Sequence, residues 1–96
     1  MTERFTVRTT PRFDRLAKSL RRQHPEFIPR LQEAVTILAE DPYNRSGAHQ
    51  IRKLVDRRQG EGEWRLRLRR FRFRYDIYGR DVVLQFCGLR DERTYR

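Results

Sequence analysis

Ninety-six residues carry 23 Lys and Arg against 13 Asp and Glu, a net charge of +10, and 38% of all side chains are charged. This length fits a single domain over residues 1–96 with a small core, because a chain of this size buries only about 60–65% of the surface its unfolded form exposes. No apolar run is long enough to span a bilayer, the lone Cys87 excludes an internal disulfide, and His24 and His49 with that cysteine are too few for a Cys/His metal cage.

Such a charge density alone would suit a disordered chain. Six Phe, four Tyr and one Trp argue against that, because a chain without a core has no use for so many rings. No Gly-rich phosphate loop and no G-x-S-x-G elbow occur, and no cofactor is expected. Met1-Thr2-Glu3-Arg4-Phe5 lacks an apolar signal core, which predicts a cytoplasmic protein. Of the net charge, +3 falls on residues 1–46 and +7 on residues 47–96, so a polyanion should bind the C-terminal half.

Taken in chain order, Phe5 to Thr9 alternates apolar and polar side chains and predicts an opening strand. Thr10-Pro11 reads as an N-cap followed by proline at the first helical position, and Phe13, Leu16, Ala17 and Leu20 give that helix one apolar stripe. A second helix starts near His24 or at Pro29, presents Leu31, Ala34, Val35 and Leu38, and ends at Asp41-Pro42. The two helices should pack as an antiparallel hairpin. Residues 42–62 lack a clear period and read as a long loop, with Ile51, Leu54 and Val55 as a short apolar patch.

After residue 62 the period becomes two. Trp64, Leu66 and Leu68 alternate with Arg65, Arg67 and Arg69, and Phe71, Phe73, Tyr75 and Ile77 alternate with Arg70, Arg72, Arg74 and Asp76. A third strand, residues 82–87, follows the turn at 78–81. Short connections predict an antiparallel meander, and two helices cover only one face of it. The fold expected is therefore α+β, with an N-terminal strand and a two-helix hairpin packed on one side of an antiparallel sheet.

The other face should display guanidinium groups. Arg65, Arg67, Arg69, Arg70, Arg72 and Arg74 set six cations within ten residues, although like charges opposite one another destabilise a sheet. Phosphate is the anion that best matches fork-shaped donors. Arginine remains protonated, with a pKa above about 12, so a proton acceptor must come from elsewhere. Tyr95, among cations that favour its phenolate, is one candidate. His24 reads as a cap or surface residue, His49 as a loop residue near Lys53, and Cys87 as a packed side chain rather than a nucleophile.

The order of these elements, the Ile51-Arg52-Lys53-Leu54 segment, the run Trp64 to Tyr75 and the ending Arg90-Asp91-Glu92-Arg93-Thr94-Tyr95-Arg96 resemble the RelE/ParE superfamily of bacterial toxins. In its RelE branch the resemblance implies a ribosome-dependent, metal-free endoribonuclease that cuts mRNA by 2′-OH attack and is neutralised by an acidic antitoxin. It implies catalytic roles for Arg72 and Arg90 at the scissile phosphate and for Tyr95 in activating or orienting the 2′-OH. Arg65 and Arg67 would position mRNA and stabilise charge, where some members carry lysines. Lys53, Arg69, Arg70, Arg74 and Arg93 are expected to add RNA-backbone contacts. The ParE branch, with DNA gyrase as its target, and a degenerate nucleic-acid-binding homologue are the alternatives. Arg69 stands where the family commonly has glycine, so that hairpin turn should be non-standard or strained.

Overall fold

A computed structural model describes residues 4–90. Strand β1 is Thr6–Thr9, helix α1 is Pro11–Gln23, helix α2 is Phe27–Glu40, and strands β2 to β5 are Ile51–Lys53, Trp64–Leu68, Phe71–Tyr78 and Asp81–Leu89. The domain is α+β, as the alternating patterns require. No helix among the described residues is long and apolar enough to cross a membrane.

The first helix begins where the Thr10-Pro11 signal places it: Thr10 Oγ1 accepts the Phe13 N–H at 3.0 Å, and Arg21 and Arg22 sit in the last turn, where cations suit the helix dipole. The second helix starts at Phe27, two residues before Pro29. The first four N–H groups of a helix have no intrahelical partner, so a proline in that turn removes no bond. Phe27, Ala34 and Leu38 are buried, whereas Val35, read as part of the inward stripe, is 38% exposed.

The strands form one sheet in the order β1-β5-β4-β3-β2. Strands β2 to β5 pair antiparallel, but β1 runs parallel to β5, with Val7 opposite Val82, so the sheet is mixed rather than wholly antiparallel. Ile51–Lys53, expected as loop, pairs with Trp64–Leu66 and adds an edge strand.

Leu66, Phe71, Phe73, Tyr75, Ile77, Val82, Leu84 and Cys87 turn inward to meet Phe13 and Phe27. Phe27 lies 5.3 Å from the Phe71 ring, edge-on, and 5.8 Å from Phe73, stacked. Buried Tyr75 donates its hydroxyl proton to the Pro42 carbonyl at 2.7 Å, and desolvation pushes its pKa up. Desolvation also pushes the Cys87 thiol up to about 12, so this side chain packs and does not serve as a thiolate.

Both meander turns have two central residues, as the pairs Leu68–Phe71 and Tyr78–Asp81 show. The first central residue has a positive φ in each: 60° at Gly79 and 56° at Arg69. Glycine fits that conformation without strain, and arginine does not. Replacing Arg69 with glycine should therefore raise stability by about 0.5–1 kcal/mol, read from urea unfolding; an unchanged midpoint would show that the turn holds no strain.

Candidate nucleic-acid interface

The face of the sheet turned away from the helices is built by alternation. On β4 the inward residues are Phe71, Phe73, Tyr75 and Ile77, so Arg72, Arg74 and Asp76 point the other way. The register then lines up side chains across strands. Arg52, Arg65, Arg74 and Phe86 form one row from β2 to β5, and Arg67, Arg72 and Gly88 form the next. Directly opposed side chains stand about 5 Å apart at Cβ, and like charges so placed destabilise a sheet.

One end of this face is closed by the loop between β2 and β3. Asp76, fully buried, accepts the Gly62 N–H on both carboxylate oxygens at 3.1 and 3.0 Å, the Glu63 N–H at 3.0 Å and an amide hydrogen of Gln85 at 3.0 Å. Gln59 donates to the Ile77 carbonyl at 2.7 Å. Arg74 donates to the carbonyls of Gly62 and Glu61, and a Cβ at Gly62 would come within 3.0 Å of the Arg74 Cβ. Burial, followed by repulsion from Arg57 and Arg12, lowers the Arg74 pKa below the usual guanidinium value. Arg74 is therefore partly committed to holding the loop.

The bulge at Gln85 shapes the β5 side. The register shifts at Arg74/Tyr75 on the partner strand, so Phe86 opposes Arg74 while Leu84 opposes Tyr75. The extra residue returns Cys87 to the core and turns Phe86 onto the arginine side. Arg74 and Arg12 lie 5.4 and 5.9 Å from the Phe86 ring centroid.

Of the residues expected to act, Arg65, Arg67, Arg72 and Arg74 share this face. Arg90 follows β5 and donates its backbone N–H to the Arg70 carbonyl at 2.8 Å; with Arg69, Arg70 and Leu89 it lines a recess of about 470 Å³ at the hairpin end. Arg70 itself is drawn toward the helix side, 3.2 Å from His24 Nδ1 and 3.7 Å from a Glu26 carboxylate oxygen. Lys53 also departs from the grid: it opposes Trp64, lies 5.8 Å from that ring and 3.8 Å from Glu63, on the helix side of the edge strand. Tyr95 and Arg93 lie outside the described residues.

Three participants escaped the sequence reading. Arg52 continues the row begun by Arg65, a place it takes only through the pairing of β2 with β3. Phe86 and Gly88 were hidden because a bulge breaks strict alternation. Among the described residues no group of three or more His, Cys, Asp or Glu is placed to hold a metal ion. The face offers charge and one ring; its arginines cannot accept a proton at neutral pH.

No family model, curated protein or solved structure matches the chain.

Proposed function

We propose that the arginine face binds the phosphates of single-stranded RNA and that the protein is a RelE-like toxin cutting mRNA on the ribosome. The observation that carries the reading is the register: Arg52–Arg65–Arg74 and Arg67–Arg72 set like charges opposite one another across the sheet, a costly arrangement that an anionic partner relieves. The resemblance in element order and in the Arg90 to Tyr95 ending supplies the chemistry.

In this reaction the 2′-oxygen attacks phosphorus, the bond to the 5′-oxygen breaks, and a 2′,3′-cyclic phosphate and a 5′-hydroxyl result. The proton leaves the 2′-OH for the Tyr95 phenolate, and the departing 5′-oxygen takes one up from water. Arg72 and Arg90 hold the charge that develops on the phosphoryl oxygens, and preorganised donors of this kind act most strongly where charge grows in the transition state. Arg65 and Arg67 fix the strand on either side. An acidic antitoxin is the natural inhibitor of a cytoplasmic protein with a net charge of +10, because a folding acidic segment gains most on such a surface.

The deciding experiment is incubation of the wild-type protein with ribosomes programmed by a defined mRNA. Cleavage in the A-site codon that leaves a cyclic phosphate is expected. Intact mRNA together with covalent gyrase–DNA adducts would sink the ribonuclease reading in favour of the ParE-like one.

A further inference from the structure

We propose that Phe86 is the stacking platform for one base of the strand whose phosphates lie on the arginine rows. This rests on the RNA-binding reading above and adds to it a contact with a base rather than with phosphate.

Regular alternation from Val82 and Leu84 would put Phe86 in the core. The bulge at Gln85 instead turns this large ring out among cations, and the Gln85–Asp76 hydrogen bond at 3.0 Å pins the bulge. Next, the ring does not stand upright. A Cβ at Gly88 would meet Phe86 Cζ at 3.0 Å and Cε2 at 3.2 Å, so the ring leans along β5 over the glycine. Gly88 opposes Arg72, and the ring thus runs from the Arg74 row toward the Arg72 row. Finally, the ring is only partly buried, with Arg74 and Arg12 beside it.

A ring between two rows of phosphate-binding cations is the composition of single-strand sites, where stacking adds to charge and tolerates any base. The two cations are not equivalent. Arg74 is tethered to the carbonyls of Glu61 and Gly62, whereas Arg12 is exposed on the first turn of α1. An incoming base displaces Arg12 from the ring and leaves that guanidinium to meet a neighbouring phosphate. A duplex, whose bases already stack on one another, gains nothing from the ring, so the site favours single strands.

The test compares binding of a short single-stranded RNA with an abasic ribose-phosphate strand of equal length, by fluorescence anisotropy, for wild type, Phe86→Leu and Phe86→Trp. Phe86→Leu should weaken the base-bearing strand about tenfold and leave the abasic strand and the salt dependence unchanged. Phe86→Trp should keep the affinity and show indole quenching on binding the base-bearing strand, which also controls for folding. Equal affinity of Phe86→Leu and wild type for the base-bearing strand overturns the stacking role while leaving the arginine face intact. An equal loss on both strands also overturns it, since the ring would then only position arginines. If wild type binds neither strand, the RNA-binding reading itself falls, and the stacking role with it.

Discussion

Replacing Asp76 with alanine is expected to remove about 3 kcal/mol of folding stability, read as a lower urea midpoint at an unchanged slope. Asp76 is fully buried and receives hydrogen bonds from the Gly62 and Glu63 N–H groups and from Gln85. A hydrogen bond to a charged group contributes about 1.5–3 kcal/mol, and burying the carboxylate costs several kcal/mol in return, so the bonds do not simply add. Alanine leaves two backbone donors and one amide without their acceptor, which sets the net loss. For a domain of 96 residues, with total stability of about 5–14 kcal/mol, this is a large fraction, and it corresponds to a fall of about 15 °C in Tm. Asn is expected to rescue only part, because its amide hydrogens face N–H groups that are themselves donors. A loss below about 1 kcal/mol for alanine would mean that the loop is held by Gln59 and Arg74 rather than by the carboxylate.

The same residue marks where the sequence stopped being legible. As a strand position, Asp76 only continues the alternation with Ile77; its partners, fourteen, thirteen and nine residues away, appear only in the folded chain. Local signals survived. The Thr10-Pro11 cap, the stop at Asp41 and the alternation from Trp64 to Ile77 each depend on neighbours within a turn or a strand, and each lies where the pattern placed it. What failed depended on distant pairing. The three-residue β2 has too short a period to read and exists because β3 lies beside it. The parallel pairing of β1 with β5 joins the two ends of the described chain. A single extra residue at Gln85 inverts every later side chain of β5, which concealed Phe86 and placed Cys87 inside.

The candidate site divides in the same way. Arg65, Arg67, Arg72 and Arg74 were legible because strand period alone puts them on one face. Arg70 follows the same parity but sits in a turn, where Glu26 and His24 from the connection between the helices draw its side chain to the opposite side. Lys53 was expected at the RNA backbone through the resemblance of the Ile51-Arg52-Lys53-Leu54 segment, and the register of β2 sends it to the helix side while Arg52 takes the place on the grid. Charge counting pointed to the C-terminal half of the chain; pairing decided which cations share a surface.

Arg67→Thr and Arg72→Thr are expected to separate function from folding most sharply. Arg67 and Arg72 are directly opposed, so removing one charge relieves repulsion, and threonine is a better strand former; Arg67→Thr should gain about 0.5 kcal/mol of stability. Single-stranded RNA binding should fall about tenfold, and the slope of log K against log salt should shrink by about 0.7, the contribution of one phosphate contact. Arg72→Thr should go further. If Arg72 stabilises charge that develops during cleavage, its loss costs about 100-fold or more in the rate with bound mRNA, beyond any loss of binding. Measured together, the opposite signs discriminate: an arginine retained only as a polar surface residue would give the gain in stability with no change in RNA binding. A retained slope in Arg67→Thr would mean that no phosphate sits there. A cleavage defect in Arg72→Thr that saturating mRNA fully restores would make it a binding residue and leave the developing charge to Arg90.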